Sequence, residues 1–131
     1  MDFPLIVTGY TTVALAILHM TLTFNVISKR RSDKIAHGDN DDKIMMKRIR
    51  GHANASEQIP IALVTLALTE WVLPGWWIIA IAVGLTAGRL MHGLYFGYHG
   101  FPHQFRFFGM LLTLMSQMAS IAILLTGLIF I

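Results

Sequence analysis

From Pro4 to Ile27 the chain carries no Asp, Glu, Lys or Arg, and from Phe107 to Ile131 it again carries none. A helix crosses the hydrocarbon of a bilayer with about 20 residues at about 1.5 Å of rise each, so either stretch is long enough to span. In a chain of 131 residues, 55% hydrophobic and 13% charged, two such runs leave too little polar surface to cover a soluble core; soluble domains carry roughly 25% charge. The bilayer is the expected solvent. The first run does not read as a secretory leader. It follows Asp2 and not a basic segment, and it outruns the roughly 7–15 apolar residues of a leader.

The net charge of +3 points to nucleic acid only if the bases form a face of their own. They do not. Lys29, Arg30, Arg31, Lys34, Lys43, Lys47, Arg48 and Arg50 crowd into one stretch, diluted by Asp33, Asp39, Asp41 and Asp42, and only Arg89 and Arg106 lie elsewhere. Basic residues between apolar runs mark a cytoplasmic loop, and no nucleic-acid partner is expected. The absence of cysteine excludes a disulfide framework, a thiolate metal site and a cysteine nucleophile. Any thiol chemistry must come from a ligand.

Between the two charge-free runs, helix-compatible sequence begins near Asp42 and passes through polar residues before the apolar run Ile59–Leu68. Glu70 to Trp77, with Pro74-Gly75 at its centre and three tryptophans, reads as a turn at the membrane surface. Ile78 to about Phe96 is a further span, interrupted by Arg89 and His92, with Gly84, Gly88 and Gly93 allowing close helix contact. The fold class is therefore an all-α integral membrane protein, a single domain over 1–131 built as a four-transmembrane-helix bundle. Its spans cover about 4–28, 44–72, 76–98 and 106–130. The basic loop 29–47 is expected in the cytoplasm and both termini in the periplasm.

Ionisable residues inside spans are functional candidates, because each costs roughly 2.5–3.5 kcal/mol to insert. Arg50, Asn54 and Glu57 stand within about 60° of one another on a single helix face. Arg89 and His92 share a face of the third span, and Arg106 opens the fourth near the same side. Glu57 and Arg89 are the expected inter-helix ion pair. His19, His37, His99 and His103 are expected to be solvated or satisfied locally, the methionines and the phenylalanines of 105–108 to pack, and no metal site is expected, since no His/Glu spacing resembles a zinc set. Several guanidiniums with one carboxylate, an amide and nearby tyrosines suit a ligand that carries separate carboxylates and an ammonium group, such as a peptide-like cofactor.

The segment Arg50-Gly-His52-Ala-Asn54-Ala-Ser56-Glu57-Gln-Ile-Pro60 resembles the second-helix signature R-x-x-x-N-x-x-E-x-x-P of the MAPEG family, membrane-associated proteins in eicosanoid and glutathione metabolism. Val26-Ile-Ser-Lys-Arg30-Arg31 is similar to the end of the first helix in its leukotriene-synthase branch. Gly88-Arg89-Leu-Met-His92 resembles the third helix of its prostaglandin-synthase branch, and Arg106-Phe-Phe-Gly109-Met110 a bacterial subgroup. The resemblance implies a homotrimer with glutathione bound between subunits at the cytoplasmic side. It assigns Arg50, Asn54, Glu57 and His92 to glutathione binding, Arg106 to stabilising its thiolate, Arg30 to gripping it from the adjacent subunit, and Arg31 to proton handling. Tyr95 and Tyr98 straddle the family's third-helix tyrosine, with Phe96 at the strict position. The implied activity is a microsomal-type glutathione transferase of the bacterial inner membrane, with peroxidase activity as a variant, acting on hydrophobic or lipid electrophiles. A non-catalytic lipid-binding or scaffold member of the family is the alternative. A small multidrug transporter ranks third, since its essential carboxylate belongs in the first helix, which here has none.

Overall fold

The computed structural model describes residues 4–130. Four helices run in order, α1 (Ile6–Asp33), α2 (Lys43–Val72), α3 (Trp76–Gly97) and α4 (His103–Ile129), and no strand occurs among the described residues. Three of them, α1, α3 and α4, are long and apolar enough to cross a bilayer. The longest, α2, owes its lower apolarity to Lys43, Lys47, Arg48, Arg50, His52, Asn54 and Glu57 in its first half. Helices α2 and α3 form the centre: each touches the other and both outer helices, whereas α1 and α4 do not meet.

Helix α1 ends in a left-handed residue, Lys34 (φ 57°), which turns the chain into the polar loop. Helix α2 starts near Asp42, where helix-compatible sequence begins, and Asp42 caps it, its Oδ1 accepting from the amides of Ile44 (2.7 Å) and Met45 (2.8 Å). Lys29 reaches Asp42 at 3.0 Å and also pairs with Asp33, clasping the end of α1 to the start of α2. The Met45 N–H and the Lys29 ammonium hold the Asp42 carboxyl below the usual carboxylate range.

The turn between α2 and α3 is shorter than the expected Glu70–Trp77, since α2 continues to Val72 and only Leu73–Gly75 lie outside helix. Nothing in Glu70–Val72 opposes a helix. The stop comes from Pro74, which disfavours helical backbone at the residue before it, and Leu73 is extended in φ (−142°). Glu70 is therefore helical and buried. Its carboxylate accepts from the amides of Val7 (3.0 Å) and Thr8 (2.8 Å) and from the Thr8 hydroxyl (2.6 Å). It caps the start of α1, whose own capping residue, Leu5, offers no side-chain acceptor.

The apolar core comes from α1 (Leu15, Leu18, Leu22), α2 (Ala55, Ile59, Ala62, Leu66) and α3 (Ile78, Ile81, Ala82, Leu85). Helix α4 packs only Ile123, partly buried, against it and docks on α3 through small residues, as the glycines of the third span anticipate. A Cβ at Gly109 would stand 2.7 Å from the His92 amide nitrogen and 2.8 Å from the Gly88 carbonyl oxygen, both backbone atoms of α3. Gly109→Ala is accordingly expected to push α4 away and cost about 1–3 kcal/mol. The melting midpoint in detergent checks this, and an unchanged value would mean that the two helices do not touch at that point.

Candidate functional site

The polar first half of α2, the last turns of α3 and the first turns of α4 meet at one end of the bundle and enclose a cavity of about 580 Å³. Its polar wall is Arg50 and Asn54 from α2, His92 from α3, and His103 and Arg106 from α4. Helical spacing explains the gathering. Arg50 and Asn54 are four apart, His92 and Phe96 four, His103 and Arg106 three, so each helix shows one face to the space. The rest of the lining, Phe96, Phe107, Met110, Leu111 and Leu114, is apolar, and Phe107, Leu111 and Leu114 are also exposed on the outside of the chain. Among the described lining residues there is no carboxylate. The Arg106 guanidinium lies 5.8 Å from the centre of the Phe96 ring, a cation–π contact that leaves its N–H groups free for a ligand. A space of this size, with cationic and apolar side chains in one lining, suits a small anionic molecule beside a hydrophobic one.

Arg89 stands behind this wall, 1% exposed, and is the largest of the fully buried side chains. Its two terminal nitrogens both donate to Asn54 Oδ1, at 3.1 and 3.0 Å, and its Nε has no partner. The expected Glu57–Arg89 ion pair does not form: Glu57 is exposed on the outside of α2. The reason is angular. Three residues of helix carry the side chain about 60° round from Asn54, and that rotation takes Glu57 off the face turned to α3.

Residues 8–126 match the model of the MAPEG family. The chain belongs to the MAPEG family. Members of this family are membrane helical bundles, in agreement with the fold. The chain is similar to "Inner membrane protein YecN" of Escherichia coli (strain K12), with 39% identity over 85 residues, 64% of this chain and 63% of the relative. It matches the protein of the same name from Escherichia coli O6:H1 (strain CFT073) to the same extent. The similarity thus spans less than two thirds of the length of these curated relatives.

In this MAPEG chain the residues singled out by the motif separate into two groups. Arg50, Asn54, His92 and Arg106 line one cavity, whereas Glu57 lies outside its lining, on the exposed face of α2. Arg30 donates to the Gly38 carbonyl at 3.0 Å, and Arg31 is exposed in the last turn of α1. Since α1 supplies no lining residue, neither arginine joins the cavity within one chain. Tyr95 sits behind the wall, edge-on to Phe96 (5.0 Å) and His103 (5.8 Å), with the Lys47 ammonium 4.1 Å from its ring centre. Tyr98 is exposed at the end of α3, and Phe96 occupies the lining instead. His19 is satisfied locally, 2.9 Å from the Ser56 hydroxyl. His103 is exposed, as expected, and also lines the cavity; its spacing of three from Arg106 was the signal that it shares that face.

Proposed function

We propose that this MAPEG chain is a glutathione-dependent transferase of the inner membrane that acts on hydrophobic or lipid electrophiles. The observation that carries this reading is the cavity itself, which brings Arg50, Asn54, His92 and Arg106 together with the exposed apolar residues Phe107, Leu111 and Leu114. Glutathione brings two carboxylates, an ammonium and a thiol. Arg50 and the Asn54 amide suit a carboxylate, and Arg106 lowers the cost of the thiolate by direct charge attraction. The sulfur then attacks an electrophilic carbon held against Phe107, Leu111 and Leu114. The C–S bond forms as the leaving group departs with its electron pair, and the thiol proton goes to water. With a hydroperoxide the same thiolate attacks oxygen, and a second glutathione completes reduction to alcohol, water and glutathione disulfide.

In this reading the active form is a homotrimer. Glu57 is an exposed carboxylate in a helix that sits among membrane spans, and lipid is a poor neighbour for it. A second copy would cover that face, leave Glu57 available to the glutathione ammonium, and bring its own Arg30 and Arg31 to the mouth of the cavity. The loop 29–47 faces the cytoplasm, both termini face the periplasm, and the partner molecules besides lipid are glutathione and its electrophile.

One observation favours a second reading, a lipid-binding or scaffold role without turnover: Phe96 stands in the lining where the family motif calls for a tyrosine hydroxyl. Calorimetric titration of the detergent-purified protein with glutathione, followed by conjugation to a generic aromatic electrophile, decides between them. Saturable heat with conjugation is expected. Saturable heat without conjugation favours the scaffold, and no heat overturns the glutathione reading.

A further inference from the structure

We infer that Arg89 is a positioning residue that turns Asn54 into an obligate hydrogen-bond donor, and so makes the cavity select for a carboxylate or similar oxyanion. The chemistry of the two side chains settles which way the amide faces. A guanidinium has five N–H donors and no acceptor, so the Asn54 atom that both Arg89 terminal nitrogens approach, at 3.1 and 3.0 Å, is the oxygen. The other end of the amide, with its two N–H donors, is then what Asn54 shows to the cavity it lines. An asparagine without such a clamp presents either end, and accepts from a ligand as readily as it donates.

The charge of Arg89 reinforces the choice. The side chain is 1% exposed, no carboxylate pairs with it among the described residues, and its Nε is unpartnered, so nothing nearby neutralises it. Its field acts through low-dielectric surroundings on whatever lies in front of Asn54. Arg50, one turn before Asn54, and Arg106, across the cavity on α4, add charge of the same sign. The amide thus fixes where the oxyanion sits, and the three guanidiniums make a neutral isostere a poor substitute.

The inference rests on the proposed function only for the choice of glutathione as ligand, and the test separates the two. Asn54→Asp gives Arg89 a carboxylate and shows the cavity an acceptor where there was a donor. The expected result is a melting midpoint equal to or above that of the unaltered protein, together with at least a tenfold loss of glutathione affinity. The preference for glutathione over its diester, which lacks both carboxylates, should collapse in parallel. A purely structural role for Arg89 moves the midpoint and leaves the acid-to-ester ratio alone. Decanoate against decanol, titrated in nonionic detergent, reads the same selectivity without glutathione. A protein that ignores glutathione but prefers decanoate, and loses that preference in Asn54→Asp, keeps the inference and removes the glutathione reading. Asn54→Asp that binds either acid within twofold of the unaltered protein overturns the inference. So does an Asn54→Asp chain that fails to fold, since a carboxylate beside an unneutralised guanidinium must be tolerated, and so does an unaltered protein with no preference for acid over ester or alcohol.

Discussion

Arg106→Leu is expected to abolish the ultraviolet thiolate absorbance of glutathione bound to the purified protein while leaving glutathione bound. Arg106 is on α4, whereas Arg50 and Asn54 are on α2, so in the proposed reading activation and binding fall on different helices and are separable by substitution. A free thiol ionises near pH 8.5, and each unit of lowering is worth about 1.36 kcal/mol of preference for the thiolate. A lowering of about two units makes thiolate the majority form at neutral pH. Removing the only charge assigned to that preference returns the thiol to its solution behaviour, and loss of one preorganised stabiliser of developing charge costs about 10²–10³ in turnover. Arg106→Lys should keep part of the signal, because a point charge remains although the planar fork is gone. If Arg106→Leu retains the whole signal, the stabilising group is elsewhere, with Arg31 of an adjacent copy the first to replace.

The second large effect belongs to the opposite end of the bundle. Glu70→Ala removes the acceptor of three hydrogen bonds at once and leaves the amides of Val7 and Thr8 and the Thr8 hydroxyl without partners. Unmade hydrogen bonds at buried groups cost about 1–3 kcal/mol each; the Thr8 groups are buried and Val7 only partly so. The expected loss is about 3–5 kcal/mol. Glu70→Gln, which keeps one acceptor oxygen, should lose less. Hydrogen exchange localises the effect: the amides of Gly9 and Tyr10 should lose protection first, because the first turns of α1 have no other cap. Equal midpoints for the unaltered protein and Glu70→Ala would show that the carboxylate does not hold the helix.

What could be read from the chain alone depended on how local the cause is. Absence of charge over twenty-odd residues sets α1 and α4, and the acceptor of Asp42 sets the start of α2, since each acts over a helix turn or within one element. The capping role of Glu70 was not legible, because its partner, Thr8, is 62 residues away and nothing near Glu70 announces it. The partner of Arg89 was misread for a subtler reason. Asn54 and Glu57 share a broad face of α2, but about 60° of helix rotation decides which of them meets α3, and that angle follows from how the helices pack. The same uncertainty of phase applied to Tyr95 and Phe96 in the last turn of α3 and Tyr98 just past it, of which Phe96 lines the cavity. The four residues gathered there, Arg50, Asn54, His92 and Arg106, were legible because each belongs to a motif at helical spacing. His103 was passed over because a histidine in a polar turn ordinarily faces water.

The three-residue turn Leu73–Gly75 governs how the chain enters the bilayer. Of the helices it joins, α2 is polar in its first half, and α3, although long and apolar enough to cross, carries Arg89, whose exposure to lipid costs roughly 2.5–3.5 kcal/mol. Packed against each other, they hide the guanidinium against Asn54, and a link of three residues keeps the two helices close whatever the rest of the chain does. Lengthening the turn with a flexible polar linker is therefore expected to leave Arg89 facing lipid for longer before Asn54 covers it, and to lower the yield of folded protein in the membrane.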